Sequence, residues 1–207
     1  MSKSTLNKAR HIKYWLRCLK TFLPTAFTSN DSQRMTFAFF TLSALDLLSA
    51  LEEHTTEEER TGYIDWIYYC QHPEGGFKGF TGADGGDNAT EEGKFWDPAN
   101  LAATFFALSS LMVLGDDFGK VKRRECLEWV RGLQQDDGSF GEAKGRRGSI
   151  EGGGDVRWCY LAAAVRWMLR KGYMEHTSDI NADALENYAI FDMNEANTET
   201  GSRMKGA

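Results

Sequence analysis

The chain has 207 residues, 42% of them hydrophobic, and a formal net charge of −6 at pH 7. The length favours one domain or two, and the apolar content excludes a chain that is disordered throughout. The acidic balance argues against DNA or RNA, so we expect no nucleic-acid partner. We expect a soluble cytoplasmic protein, because the N-terminus has no apolar signal core and no stretch of about 18 apolar residues occurs.

The cysteines are scattered along the chain, with no CxxC pair and no histidine at ligand spacing. They are Cys18, Cys70, Cys126 and Cys159. This pattern favours small buried side chains in a reducing compartment over a disulfide or a metal site.

The first predicted element is an amphipathic helix over residues 9–24, with Pro24 at its end. Its apolar residues recur at the steps of three and four that mark one helix face, at Ile12, Trp15, Leu16, Leu19, Phe22 and Leu23. Basic residues lie among them at Arg10, Lys13, Arg17 and Lys20. These basic residues fit either a solvated face or contact with a partner.

The next segment, Arg34 to Leu51, is apolar almost all round, which predicts a helix buried on most sides. Asp31 or Ser32 is a candidate N-cap for it. A more polar helix follows, with Thr55 or Thr56 as its N-cap and an acidic first turn.

A Gly-rich, acidic loop then runs from Gly75 to Gly93. It lacks the spacing and the Lys-Ser/Thr end of a phosphate loop, and its carboxylates would repel an anion. The spacing of an EF-hand is also absent. We interpret the loop as a surface insertion.

The alternation of apolar and polar helices continues after this loop. Apolar helices are predicted from Asn100 to Leu114 and from Asp155 to Leu169, and polar ones over residues 119–135 and 179–189. A second Gly-rich loop, with Lys144, Arg146 and Arg147, spans Gly141 to Gly154. Residues 190–207 have no helical periodicity, and we interpret them as a disordered tail.

Two of the Gly-containing turns are copies of one unit. Equivalent residues are 63 positions apart at Trp66 and Trp129, Gln71 and Gln134, and Phe77 and Phe140. Each copy follows an apolar helix and a polar helix, so the repeated unit is a helical hairpin that ends in a turn. The fold class is therefore all-α, and the third copy is cut short after Tyr188.

Arg157 and Tyr160 are candidate site residues because they lie three positions apart, on one face of a predicted helix. An Arg-Tyr pair could hold an anionic group, but Arg157 could equally pair with Asp155. Thr36 is a small residue among phenylalanines and either leaves room for an apolar ligand or packs in the core. Aromatic residues such as Phe40 and Phe105 are most often core residues.

No nucleophile-base pair is recognisable, since the serines of the apolar helices have no histidine nearby. The residues alone describe a protein of α-hairpin repeats, and that architecture serves scaffolds as well as enzymes.

These stretches together resemble the β subunits of protein prenyltransferases, most of all those of protein geranylgeranyltransferase type I. The resemblance runs from about His11 to Tyr188. The segments that carry it are Ser32–Phe40, the turns Gln71–Phe77 and Gln134–Phe140, Thr104–Asp117 and Asp155–Tyr160.

The resemblance implies a partial α-α toroid of the prenyltransferase and terpenoid cyclase type over residues 9–189, with about three of the family's six or so hairpins. In that family the inner helices line a funnel, and an α subunit wraps the outside to form a heterodimer. The enzyme transfers an isoprenoid from its diphosphate, here geranylgeranyl diphosphate, to a C-terminal cysteine of CaaX-ending small GTPases. Zinc holds the cysteine thiolate.

The resemblance also assigns an isoprenoid pocket. Arg157 and Tyr160 match an Arg and a Tyr that line it, and Phe40 and Phe105 match further wall positions. Thr36 stands where the farnesyl enzyme has a bulky Trp, so a small residue leaves depth for the longer geranylgeranyl chain.

The family's zinc ligands and diphosphate-binding residues come later in the fold and have no counterpart in this sequence. We therefore expect the N-terminal half of a β subunit, apparently truncated. It should contain no catalytic residue or metal ligand, bind no zinc and be inactive alone.

Two alternatives remain open. A terpenoid cyclase shares the toroid but needs an Asp-rich motif facing the cavity, whereas Asp116 and Asp117 fall at a predicted helix end. A non-catalytic repeat scaffold would bind peptides on its concave face.

Overall fold

The computed structural model describes residues 6–81, 98–145, 148–171 and 179–190. Much of the predicted surface insertion and the predicted tail from residue 191 onward lie outside these residues. The described part is mainly helical, which confirms the all-α fold class. None of its helices is long and apolar enough to cross a membrane.

The helices of the described part alternate as the sequence predicts. They are α1 Lys8–Lys20, α2 Arg34–Leu47, α3 Leu51–His54, α4 Glu57–Tyr69, α5 Leu101–Val113, α6 Arg123–Arg131, α7 Val156–Arg170 and α8, residues 182–190. A 3-10 helix, Thr25–Gln33, leads into α2.

The second Gly-rich loop contains a strand pair that the sequence did not predict. Strands β1 (Ala143–Lys144) and β2 (Ile150–Glu151) pair antiparallel, with Ala143 opposite Glu151. Two residues per strand are too few to produce the alternation by which strands are recognised in a sequence.

Several helix starts are fixed by side-chain caps. The Thr56 hydroxyl accepts a hydrogen bond from the Glu59 backbone N–H, and the Glu59 carboxylate accepts one from the Thr56 N–H, which completes a capping box. Asn100 caps α5 and Asp155 caps α7 in the simpler one-bond form. Asp31 caps nothing, because its carboxylate instead accepts a hydrogen bond from the Arg34 guanidinium.

Helix α6 begins at Arg123, not at residue 119 as predicted. The residues before it form a turn in which Phe118 has a φ of 64° and the Asp116 carboxylate accepts a hydrogen bond from the Phe118 N–H at 2.7 Å. The left-handed Phe118 cannot belong to a right-handed helix, so the helix starts later.

Helices α2, α5 and α7 pack side by side as an inner layer, α2 against α5 and α5 against α7. Phe39, Phe105 and Tyr160 lie at similar distances from the starts of their helices and are in ring contact in that order.

The starts of these helices also lie along one edge of the layer. The Met35 N–H of α2 donates to the Gly79 carbonyl, close to Phe77, whose carbonyl accepts from the Asn100 N–H at the start of α5. The Leu101 N–H of α5 donates to Glu142, which is bonded to Glu151 shortly before α7. The three inner helices therefore run parallel. Helices α1, α4, α6 and α8 precede or follow them on the outside, so the described part is an arc of hairpins.

Each of the two repeated turns is fastened to the next outer helix by a glutamine. In the first turn, Gln71–Phe77, Gln71 Nε2 donates to the Lys120 carbonyl at 3.1 Å and Gln71 Oε1 accepts from the Lys122 N–H at 2.7 Å. In the second turn, Gln134–Phe140, Gln134 makes the same pair of bonds to Asn181, at 2.9 and 2.7 Å. The repeat in the sequence is thus a repeat in hydrogen bonding.

The cysteine prediction is confirmed at three positions and wrong at one. Cys70, Cys126 and Cys159 are buried, whereas Cys18 is exposed, and none of the four forms a disulfide. Cys126 Sγ accepts a hydrogen bond from the Gly76 N–H at 3.2 Å. Burial raises the pKa of the Cys126 thiol to about 11, so this thiol stays protonated at neutral pH.

Candidate functional site

The inner helices present a continuous row of aromatic rings across the arc. The row, called the aromatic wall below, consists of Phe39, Phe40, Phe105, Phe106 and Tyr160. Neighbouring ring centroids lie 5.1 Å apart for Phe39 and Phe106 and 5.8 Å apart for Phe105 and Tyr160. These separations are those of attractive aromatic pairs.

The two ends of the aromatic wall are exposed, whereas its middle rings, Phe105 and Phe106, are partly buried and pack against the core. Phe40 is 52% exposed and Tyr160 is 64% exposed, although both belong to mainly apolar helices. The opposite sides of the same helices are fully buried, as Leu42 and Ala162 show. A partly exposed apolar surface that spans three helices is typical of a binding site.

Thr36 lies one helical turn before Phe40 on α2, so the two residues share a helix face. Thr36 is half-buried. The Thr36 side chain is much smaller than the Phe40 ring, so it fills less space on this face of α2.

Arg157 lies one turn before Tyr160, at the N-terminal rim of the wall. Its Nε and Nη2 atoms donate to Asp155 Oδ2 at 2.8 and 2.5 Å, while Asp155 Oδ1 caps the helix by accepting from the Arg157 N–H. This ion pair lowers the pKa of the Asp155 carboxyl. The structure thus contains the pair with Asp155 that the sequence left open.

The pair with Asp155 does not bury Arg157. The Arg157 side chain is 82% exposed, and an ion pair between solvent-exposed groups holds its partners only weakly. Arg157 can therefore exchange Asp155 for a more strongly charged anion at the rim.

The five predicted site residues are thus placed as follows. Phe40, Phe105 and Tyr160 belong to one wall, while Thr36 and Arg157 flank it on α2 and α7. Phe39 and Phe106 complete the wall although sequence reasoning did not assign them to the site. The signal was available, because both are adjacent to predicted site residues in paired phenylalanines.

The acidic pair after α5 faces away from the wall. Asp116 Oδ1 accepts a hydrogen bond from the Tyr68 hydroxyl at 2.5 Å, and Tyr68 belongs to the outer helix α4. Burial and this bond raise the pKa of Tyr68 above its usual value. Asp116 is therefore a structural acceptor between an inner and an outer helix, and it does not supply the cavity acid that a terpenoid cyclase requires.

The described residues do not fit a zinc site. Within them, no group of three or more His, Cys, Asp or Glu side chains lies close enough to hold a metal ion. Structural zinc takes four such ligands and catalytic zinc at least three.

Comparison with known proteins gives a family match over most of the chain. Residues 6–201 match the family described as prenyltransferase alpha-alpha toroid domain. The chain is 28% identical over 197 residues to the geranylgeranyl transferase type-1 subunit beta of Arabidopsis thaliana, an alignment that covers 90% of this chain and 48% of that protein. It is equally identical, over 162 residues, to the farnesyltransferase subunit beta of Pyricularia oryzae, covering 77% and 27%.

A solved structure has the same fold. Protein geranylgeranyltransferase-I of Candida albicans, in complex with GGPP, matches with a TM-score of 0.74 and 23% identity, over 90% of this chain and 51% of that chain. The chain spans about half the length of this protein and of the Arabidopsis relative, and less of the Pyricularia one.

Proposed function

Because the chain belongs to the prenyltransferase α-α toroid family, we propose that it is the isoprenoid-binding part of the β subunit of a protein geranylgeranyltransferase type I. The aromatic wall is the observation that carries this proposal. Its rings provide an apolar surface across three helices, and at the rim the exposed Arg157 guanidinium, now paired with Asp155, is available to an anionic group. An isoprenoid diphosphate has the matching arrangement of a long apolar chain and an anionic head.

The binding energy on the apolar side comes from removing the isoprenoid chain from water. Burial contributes roughly 0.8 kcal/mol for each methylene-sized group. Packing against ring faces adds dispersion contacts along the length of the chain. The wall orients the chain because its rings extend from α2 through α5 to α7.

The choice of a C20 over a C15 chain is proposed from Thr36. A side chain of this size leaves space at the end of the wall that an indole would fill. Relatives whose names specify geranylgeranyl and farnesyl transfer match at equal identity, so overall similarity does not decide between the two donors.

The role of Arg157 in this proposal is to bind and orient the diphosphate. Its guanidinium offers several N–H donors in a plane and carries its charge at all physiological pH values. Charge-assisted hydrogen bonds to phosphate oxygens are stronger than the exposed pair with Asp155. The described residues contain no cluster of three or more potential zinc ligands, and we propose that this chain binds no zinc and does not activate the acceptor thiol alone.

The partners follow from the same assignment. We propose that an α subunit binds the outside of the arc, that CaaX-ending small GTPases are the acceptors and that the protein works in the cytoplasm. The names of the Arabidopsis and Pyricularia relatives describe them as β subunits, which supports a second, different subunit.

Binding of a fluorescent geranylgeranyl diphosphate analogue to the purified chain tests the proposal. We expect Tyr160→Ala to weaken binding about tenfold, because it removes one ring of the wall. Tyr69→Ala is the matched control: Tyr69 is 61% exposed, close to Tyr160, but lies on the outer helix α4. Equal losses in the two variants would contradict a site on the wall.

Two further variants separate the parts of the ligand. Arg157→Gln should weaken binding of the diphosphate but not of geranylgeraniol, which has no charged head. Thr36→Trp should weaken the geranylgeranyl analogue more than the farnesyl one. A Thr36→Trp variant that weakens both equally would leave the wall as a lipid site but refute the proposed chain-length preference.

A further inference from the structure

Positive charge is concentrated on α1, although the chain as a whole is acidic. Helix α1 contains five Lys and Arg residues and no acid. All 30 Asp and Glu residues of the chain lie after residue 30. The other outer helices of the described part, α4, α6 and α8, each contain at least two acids. The charge of α1 is therefore a local feature and not the average of the chain.

Packing fixes which side of α1 faces solvent. The apolar side of the helix lies against a buried cluster that includes Leu42 and Leu45 of α2, and the residues on that side are Ile12, Trp15, Leu16 and Leu19. Arg10, Lys13 and Arg17 follow each other at steps of three and four, so they share the other side. These three exposed bases are called the basic ridge below.

The basic ridge does not hold α1 to its own chain. Within the described ranges, Arg10, Lys13 and Arg17 form no salt bridge. Lys20 of the same helix differs, because its Nζ atom lies 2.8 Å from Glu59 Oε1 and donates to the His54 carbonyl at 3.2 Å. The attachment of α1 thus uses its apolar side and Lys20, and the charges of the ridge remain available to a partner.

Exposed aromatic rings lie beside the basic ridge. Tyr14 is 58% exposed between Lys13 and Arg17, with its ring against that of Trp15 at 5.0 Å. Phe22 is 89% exposed and lines the same groove as Tyr14 and Arg17. Tyrosine is favoured at membrane–water interfaces because it has an apolar ring and a polar tip.

We propose that the basic ridge places α1 along the surface of an anionic phospholipid membrane, with Tyr14 and Phe22 entering the headgroup region. Bases beside exposed aromatic residues are the combination that binds helices to anionic membrane surfaces. An acidic protein would need carboxylates fixed opposite each base, whereas lipid headgroups move to meet long, unpaired side chains. The cytoplasmic leaflet of cell membranes carries the required negative charge.

The membrane and the proposed isoprenoid ligand would use different surfaces. The basic ridge belongs to the outer helix α1, and the aromatic wall belongs to the inner helices. Membrane binding through the ridge therefore does not require the wall, and a failure of one leaves the other standing.

Co-sedimentation of the 207-residue chain with lipid vesicles tests this proposal. The chain should bind vesicles of phosphatidylcholine and phosphatidylserine in a two-to-one ratio, and it should bind vesicles of phosphatidylcholine alone much more weakly. Because salt screens exposed charges, binding to the anionic vesicles should fall as the salt concentration rises.

A matched pair of double variants tests the position of the surface. Lys13→Gln/Arg17→Gln should bind anionic vesicles roughly 25-fold more weakly, because each base near such a surface contributes about a fivefold gain in affinity. Lys122→Gln/Arg131→Gln is the control, since it removes one exposed lysine and one exposed arginine at the two ends of α6. The control should bind like the unaltered chain, and circular dichroism shows whether each variant remains folded.

A fluorophore at Cys18 shows which side of the protein meets the lipid. Cys18 is exposed and adjacent to Arg17, whereas the other three cysteines are buried, so a thiol reagent labels it selectively. Brominated lipids should quench this fluorophore. They should not quench the same fluorophore on α4, attached to an exposed position by Thr61→Cys in a Cys18→Ser chain.

Three results would overturn the proposal. The first is a chain that does not bind anionic vesicles, and the second is an equal loss of binding in the ridge variant and its control. The third is binding of soluble polyglutamate without binding of vesicles, which would mean that the basic ridge recognises an acidic protein segment.

Discussion

The first and second turns perform the same task with different supporting contacts. In both, a glutamine binds the start of the next outer helix and a phenylalanine, Phe77 or Phe140, is fully buried. In both, a glycine with positive φ lies so close to the backbone of the next outer helix that no Cβ would fit. A Cβ at Gly75 would lie 2.3 Å from the Glu125 carbonyl oxygen, and one at Gly138 would lie 2.1 Å from that of Ala184.

The supporting contacts differ. In the first turn, the Phe77 N–H donates to Thr104 Oγ1 of α5 at 2.9 Å, so this turn is bonded to the next inner helix. In the second turn, Asp137 Oδ1 accepts from the Ser139 N–H at 2.9 Å, so this turn is bonded to itself. The glutamine, the glycine and the phenylalanine are therefore shared by the two turns, as are backbone bonds such as those from His72 to Gly76 and from Gln135 to Ser139. The bonds of Thr104 and Asp137 are what differs.

Phe77→Ala and Phe140→Ala should have the largest effects, each lowering the free energy of unfolding by about 4 kcal/mol. Each removes a fully buried ring and leaves a cavity at the junction of two hairpins. Denaturant titration measures the loss, and Phe27→Ala, at an exposed position, should change little. A difference of more than about 2 kcal/mol between the two variants would mean that the turns are not equivalent.

Gly75→Ala and Gly138→Ala should each lower the free energy of unfolding by about 3 kcal/mol. The new Cβ would clash with backbone atoms that cannot move aside, and the φ values of 107° and 91° are strained for any L side chain. Gly62→Ala is the matched control, because nothing lies within 4 Å of a Cβ there. At this exposed position of α4, Gly62→Ala should raise the free energy of unfolding by about 0.5–1 kcal/mol, because Ala favours the helix more than Gly does. Thermal unfolding of the three variants would refute the close approach if Gly75→Ala behaved like Gly62→Ala.

Thr104→Val should destabilise only the first turn and lower the free energy of unfolding by about 2 kcal/mol. The change keeps the shape of the side chain but leaves the buried Phe77 N–H without its acceptor. Hydrogen exchange of the Phe77 amide should speed up, while that of Phe140 stays the same. Thr61→Val, on the exposed side of α4, controls for the loss of a hydroxyl. Equal acceleration at both turns would show that they are not independently supported.

The helices and their order could be predicted because apolar periodicity is a local property. The three apolar helices end within a few residues of their predicted ends, and the equal spacing of the two turns gave the hairpin repeat. The start of α6 could not be predicted in the same way. It depends on Phe118 in a left-handed conformation and on a hydrogen bond from Lys122 to Gln71, which is distant in sequence.

The candidate site was predictable in its residue types but not in its contacts. Phe40, Phe105 and Tyr160 meet because three helices pack in one alignment, and that alignment depends on the whole core. Asp155 was anticipated as the N-cap and as a partner of Arg157, because both relations are local. Cys18 was expected to be buried, yet it is exposed and lines a groove between α1 and α2.

Asp137 gives the smallest difference between the turns, and one that depends on pH. Hydrogen bonds from the Ser139 hydroxyl and N–H lower the pKa of the Asp137 carboxyl in the folded chain. A lowered folded-state pKa stabilises the fold above the unfolded-state pKa, and this contribution disappears as the pH falls through the folded-state value. Because Asp137 is exposed, the contribution should be a few tenths of a kcal/mol.

Asp137→Asn should therefore have a smaller free energy of unfolding than the unaltered chain at pH 7. This difference in free energy should vanish once the pH falls below the lowered pKa of Asp137, where the carboxyl is protonated. The first turn offers the control in Glu74, the residue 63 positions earlier, whose side chain has no serine to bind because Gly76 stands at the position equivalent to Ser139. Glu74→Gln should leave the pH dependence of unfolding unchanged. If Glu74→Gln lowered the free energy of unfolding as much as Asp137→Asn, the bond between Asp137 and Ser139 would contribute nothing to the stability of the second turn. The bond to Thr104 would then be the remaining difference between the two turns.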